Sequence, residues 1–310
     1  MQPTVRDRAL ADGLRAAQAA VEEGLSRATE SDVPFITEAA RELTRTAGRR
    51  FRPLLVLLAA RFGDPGAPAV VPAAVVVELT HLATHYHDGV RDETAVRRGA
   101  SRPDTHWDST VAVLTGDFLF ARASQLLADL GPRAVRLQAE AFRRQVSGQI
   151  LATTGPRDGR DPIEHHLEVL ASRTGSLTAV AGQLGALVSG ADASVADALV
   201  RYGERLGMAS HLADELAAPT GRRPTLPVLL LARADPELYA LLTGPAERAG
   251  YAEAVARLRT HAVLERAREE TVRQADAARA ALSPLPDCPA RAALEALCET
   301  VAPTAPSSCG

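Results

Sequence analysis

Apolar positions recur at helical spacing along most of the chain, in segments parted by short breaks of glycine, proline and small polar residues. Arg6–Arg27 is Ala-rich and amphipathic. Pro34 opens a second helix behind Ser31 and Asp32, which are suited to cap it. The pattern predicts further helices over Pro53–Phe62, Ala73–Val90, Val111–Leu130, Arg133–Ala152, Ile163–Ala171, Leu177–Ser189 and Val195–Ala218, with three or four more between Pro227 and Val301. The breaks carry their own signals: Gly63-Asp64-Pro65-Gly66, Gly131-Pro132, the loop Thr153–Pro162, and Pro219. No strand alternation exceeds four residues and no repeat recurs at a fixed period. The prediction is an all-α fold in one domain over 1–310, with an N-terminal helix within 1–30 and a frayed Pro/Ser-rich tail at 302–310.

Composition supports helix: Ala, Leu and Val dominate and aromatic residues are only 4%. A net charge of −3, with no basic patch interleaved with aromatics, speaks against nucleic acid as a partner. All 35 basic residues are arginine and none is lysine, the mark of a GC-rich coding bias, so an arginine where lysine is usual carries little information. The three cysteines, Cys288, Cys298 and Cys309, lack metal-binding spacing and fit a reducing cytoplasmic setting. The N-terminal residues lack the apolar core of a signal peptide. The apolar run Ala67–Leu79 is interrupted by Pro68, Pro72 and Glu78, so no integral membrane segment is expected there.

Candidate chemistry is concentrated in ELTHLATHYHDGVRDET. At helical pitch Asp88 and Asp92 fall about 20° to either side of His81, with His85 about 40° away. One face of an otherwise apolar helix thus carries two carboxylates. Such groups need solvent or cations, and magnesium, which takes oxygen ligands and is often shared with substrate phosphates, suits them. Two other readings of this segment stay open: a helix end running into solvent, and a zinc site on His81, His85 and Asp88. Arginine clusters bracket the face, Arg97-Arg98 after it and Gly48-Arg49-Arg50-Phe51-Arg52-Pro53 before it. Arginine forks match phosphate oxygens, so the pattern points to two polyanions, one held through metal and one by arginine.

Together these segments resemble the trans-isoprenyl diphosphate synthases, or polyprenyl synthetases. GRRFRP resembles the family's GKRxRP, and HDGVRDETAVRRG its first Asp-rich motif with the trailing RRG. Trp107 and Gly116-Asp117-Phe118-Leu119 follow at family spacing. Ser172-Arg173-Thr174-Gly175-Ser176-Leu177 resembles the KTasL segment, Gly207–Glu215 the second Asp-rich motif, and Arg223-Pro224-Thr225-Leu226-Pro227 the KxTLP after it. The resemblance runs from about Arg41 to Leu231 and implies the isoprenoid synthase fold, a helical bundle around a substrate cavity. It implies magnesium on Asp88, Asp92 and Asp214, with Arg173 assisting. Arg49, Arg52, His81, Arg97, Arg98, Thr174, His211 and Arg223 become substrate-binding, and Ala83 and Thr84 set product length. The chain departs from the family at Gly89 and Ala218, where aspartates are usual, at Glu215 in place of a second Asp, and at His211 in place of Gln.

The implied reaction condenses an allylic diphosphate with isopentenyl diphosphate to a polyprenyl diphosphate of C20 or longer, since Ala83 and Thr84 leave the wall before the first motif small. A homodimer is implied by the same resemblance. Two alternatives accompany it. One is a terpene cyclase on the same scaffold, which would need no second substrate. The other is a non-catalytic subunit paired with an active synthase.

Overall fold

Helices account for most of the described residues, and no strand occurs among them. The computed structural model describes residues 7–46, 50–91, 109–157, 159–219, 225–244 and 250–302, with the backbone alone at 43–46, 88–91 and 109. In chain order the helices are α1 (Arg8–Ala28), α2 (Pro34–Thr46), α3 (Phe51–Ala59), α4 (Val70–Arg91), α5 (Ser109–Leu130), α6 (Pro132–Thr154) and α7 (Pro162–Leu170). Then come α8 (Ser176–Val188), α9 (Ala193–Ala217), α10 (Leu226–Ala234), α11 (Pro236–Thr243), α12 (Tyr251–Leu258), α13 (Val263–Ala281) and α14 (Pro289–Val301). The all-α expectation holds, and the helices predicted as far as Ala218 reappear with ends moved by a few residues; from Leu226 to Val301 the described residues form five helices, α10 to α14, where three or four were expected.

Local chemistry accounts for several of these ends. Asp7 caps α1 by accepting from the Leu10 amide at 2.7 Å. Asp161 and Asp235 do the same for α7 and α11, each with proline following at the first helical position, where its missing amide costs nothing. Pro53 is tolerated within the first turn of α3 for the same reason, so that helix starts at Phe51 rather than at the proline. Between α7 and α8 the chain does not break. It continues through a π-helical turn, Ala171–Gly175, a local widening common at functional sites.

By contact the chain divides into two compact units, each assembled from separated stretches. The first comprises Met1–Ala139, Val180–Asp197 and Asp287–Ala293. Its core is α4, where Ala73 to Val77, Leu79, Leu82 and Ala83 are all buried, packed by α1, α3 and α5. Small residues set the spacing: a Cβ on Gly185 would lie 2.4 Å from the Val56 carbonyl oxygen, and one on Gly24 would lie 2.7 Å from Val75. The second unit comprises Glu140–Ala179, Ala198–Pro286 and Leu294–Gly310. Its core gathers Leu170, Met208, Leu212, Leu226, Val228 and Leu231 with Leu238, Leu258 and Val263. Here α9 presses on α8 through Gly203, whose added Cβ would lie 2.6 Å from the Thr178 carbonyl oxygen.

Thr110–Leu130 of α5 is long and apolar enough, by length and composition alone, to cross a membrane, and 28% of its apolar window is buried. Val113 and Leu114 stand exposed on it.

Candidate functional site

In the first unit the chemistry collects where α3 meets α4. Glu78 is a carboxylate on a helix whose neighbours are alanine, valine and leucine, and its side chain is almost wholly buried. Arg50, just before α3, reaches it at 3.1 Å and clasps Glu22 of α1 with two nitrogens at 2.6 and 3.0 Å. Burial works against the Arg50 charge, and Glu22 and Glu78 more than offset it, so its pKa rises. Burial pushes the Glu78 carboxyl up, against the pull of Arg52 and Arg50. The guanidinium is therefore the firm charge of the pair, and the arginines oppose what burial does to the carboxyl.

His81 lies one turn further along α4. Burial and then the positive charge of Arg52, with smaller contributions from His85 and Arg50, hold its imidazole well below the usual range. It is neutral at pH 7, able to donate from one nitrogen and to accept at the other. Arg52 is the strongest charge felt by both Glu78 and His81, which places these three groups together. The His81 and His85 rings lie 6.2 Å apart and tilted. Of the anion-binding residues expected from sequence, Arg52 and His81 are brought together. Arg49, Arg97 and Arg98 lie outside the described residues.

Beyond His81, α4 carries the residues expected to set product length. Ala83 is buried, and the Thr84 hydroxyl turns back to donate to the His81 carbonyl at 2.8 Å. The Tyr86 hydroxyl donates to the Ala39 carbonyl of α2, tying the two helices. His87 faces α5, 3.2 Å from the Asp117 carboxylate, above Gly116, where a Cβ would meet its ring at 2.6 Å. Asp88 falls in the final turn of α4, with its backbone helical, and Asp92 lies outside the described residues.

The second unit holds the rest. Arg173 and Thr174 sit in the π-helical turn, and His211 and Asp214 in the last two turns of α9. Thr174 Oγ1 lies 3.4 Å from His211 Nδ1. Burial lowers the His211 pKa, opposed by Glu215 and reinforced by Arg173 and His166, with Asp214 opposing more weakly. Arg173 and Asp214 thus both lie near His211, and Asp214 is exposed. Arg223 lies outside the described residues.

Glu215 departs from its neighbour. It is buried, with His166 Nε2 3.1 Å from one carboxylate oxygen, and the other oxygen accepts from the Leu226 amide at 2.9 Å. Sequence reading gave it the charge of a second aspartate, and the structure shows that charge turned inward. His166, Glu78 and the tie through Arg50 were not singled out beforehand. For His166 a signal existed: it stands in the apolar stripe Ile163, Leu167, Leu170, where a polar side chain needs a partner.

Among the described residues no group of three His, Cys, Asp or Glu side chains is arranged to hold a metal ion. Asp214 is an accessible hard oxygen donor in the last turn of α9. Such a donor fits a cation that keeps waters and shares substrate oxygens, as magnesium does.

Residues 33–225 match the family model described as polyprenyl synthetase. A nonaprenyl diphosphate synthase of Mycobacterium tuberculosis is 39% identical, over 94% of this chain and 93% of that protein. The heptaprenyl diphosphate synthase component 2 of Geobacillus stearothermophilus is 36% identical, over 67% of this chain and 65% of its own length. A crystal structure of geranylgeranyl pyrophosphate synthase from Corynebacterium glutamicum, complexed with calcium and isoprenyl diphosphate, superposes with a TM-score of 0.83 at 38% identity. It covers 96% of this chain and 98% of that one.

Proposed function

Because the chain belongs to the polyprenyl synthetase family, we propose that it condenses an allylic diphosphate with isopentenyl diphosphate, releasing diphosphate and a longer trans-polyprenyl diphosphate. The observation that carries this reading is the charge of Arg52 acting on a buried, neutral His81 on the helix that runs on to Asp88. A single-substrate cyclase has no use for that second anion site.

Asp88 and Asp92 of the first unit and Asp214 of the second are each assigned to magnesium, which supplies the Lewis-acid charge that a departing diphosphate needs. Arg98, Arg173 and Arg223 lay further positive charge on the leaving oxygens as the allylic carbon–oxygen bond breaks to an allyl cation. Arg49, Arg52 and Arg97 hold the diphosphate of isopentenyl diphosphate by charge-assisted hydrogen bonds, and His81 donates an uncharged one. Its double bond attacks the cation, forming the new carbon–carbon bond, and the released diphosphate takes the proton lost in closing the new double bond. The chain's contribution is charge placement and orientation rather than covalent chemistry.

The product is C20 or longer. Ala83 and Thr84 present little bulk before the first motif, and Thr84 spends its hydroxyl on its own helix. A83F shortens the longest product by one or more C5 units, read by chromatography of the dephosphorylated products; an unchanged length distribution would remove Ala83 from this role.

The exposed apolar residues of α5 are assigned to a second copy of the chain, giving a homodimer. Similarity to a protein named as one component of a synthase keeps a heteromer as the other assembly. A reducing, cytoplasmic setting accords with the free thiols of Cys288 and Cys298, the latter pushed up to about 12 by burial.

A further inference from the structure

The carboxylate of Glu215 joins three elements of the second unit. From α9 it points inward and is buried. His166 of α7 approaches both oxygens, Oε1 at 3.1 Å and Oε2 at 3.3 Å. Oε2 also accepts from the amide of Leu226, the first residue of α10, at 2.9 Å. His211, one turn earlier on α9, brings Nε2 to 3.7 Å from Oε1.

The contact with Leu226 replaces an ordinary helix cap. Thr225 stands at the N-cap of α10 in extended conformation, yet its hydroxyl makes no capping bond and Pro227 follows at the second helical position. Early amides of a helix have no partner within it and need an outside acceptor. Here the acceptor comes from eleven residues back in sequence, in the last turn of α9. A buried carboxylate with directional partners is a rigid fixture, because releasing any one of them leaves a desolvated polar group. The Asp at the preceding position, Asp214, is exposed on the same helical turn.

We propose that Glu215 is a positioning residue: by capping α10 and gripping His166 and His211, it fixes the end of α9 so that Asp214 is presented to the metal-bound diphosphate. The proposal rests on the assignment of Asp214 to magnesium made above. It distinguishes two carboxylates that adjoin in sequence, one facing the ligand and one facing the protein. His166 acts in the same device from the other side.

The test is calorimetric titration of magnesium into the full chain with inorganic pyrophosphate, beside steady-state kinetics and thermal unfolding. E215A is expected to weaken magnesium–pyrophosphate binding about 10-fold or more, while KM for isopentenyl diphosphate stays within about 2-fold. E215Q is expected to stay within about 3-fold of wild type. Its amide oxygen still accepts from Leu226, and its amide nitrogen faces the His166 ring, one tautomer of which accepts from it. H166A should shift binding in the same direction as E215A but less, and the double variant should be no worse than E215A. Binding in E215A equal to wild type, whatever its melting temperature, would overturn the proposal, because the residue would then serve folding only. A loss in E215Q as deep as in D214N, with H166A unaffected, would also overturn it, making Glu215 a metal ligand. Wild-type protein that binds magnesium–pyrophosphate yet forms no product would sink the proposed reaction and leave this positioning role standing. Wild-type protein that takes up no magnesium–pyrophosphate would overturn both.

Discussion

Asp214→Asn lowers kcat by about three orders of magnitude, roughly 4 kcal/mol of transition-state stabilisation, and leaves KM for isopentenyl diphosphate nearly unchanged. The reasoning is local. Asp214 is the accessible carboxylate of the second motif, beside Arg173 and His211, and its neighbour Glu215 is committed to α10 and His166. With Ala218 in place of the motif's usual last aspartate, no other carboxylate within residues 214–218 takes over. Asparagine keeps the shape and an oxygen but removes the negative charge that holds a hard cation. The loss therefore falls on ionisation of the allylic diphosphate, where charge separates, and not on binding of the second substrate. Initial rates against each substrate at saturating magnesium check the split. A D214N enzyme within about 10-fold of wild type in kcat would take Asp214 out of the catalytic set.

Arg52→Ala moves the other parameter. We expect KM for isopentenyl diphosphate to rise about 30-fold or more, about 2 kcal/mol for a charge-assisted contact with phosphate, with KM for the allylic substrate within about 3-fold. R52K recovers part of this, because charge returns and the fork does not. Arg50→Ala behaves differently despite lying two residues away. Arg50 is clasped by Glu22 and Glu78, so its loss falls on the join between α1 and α4 and appears in thermal unfolding first. Equal effects of R50A and R52A on KM would contradict this division of labour.

That division marks where sequence reading stops. GRRFRP displays three arginines in four residues; the resemblance assigned Arg49 and Arg52 to substrate, but spacing gave no physical reason for leaving Arg50 out. That reason comes from Glu22 and Glu78, each 28 residues from Arg50, and a tertiary contact at that separation leaves no trace in local periodicity. Glu78 shows the same limit: in sequence it is an interruption in an apolar run, and in the fold it is the buried anchor of Arg50. Glu215 illustrates it again. Its place in the motif gave it only the charge of a second aspartate, whereas in the fold it faces His166 and the Leu226 amide. What periodicity could carry, it carried well. The apolar stripe of α4, the breaks at Gly131-Pro132 and Pro219, and the all-α fold were legible because each depends on residues within a turn or two. The π-helical turn at Ala171–Gly175 was not, because Ser-Arg-Thr-Gly has the composition of a loop.

The central claim is that the chain joins two diphosphates. It is tested most directly by incubating the purified protein with magnesium, labelled isopentenyl diphosphate and, separately, C5, C10, C15 and C20 allylic diphosphates, then separating the products. The account predicts label in polyprenyl products of C20 or longer, only when both substrates and the metal are present. Hydrocarbon formed from an allylic diphosphate without isopentenyl diphosphate, or no product from any pair, would contradict it.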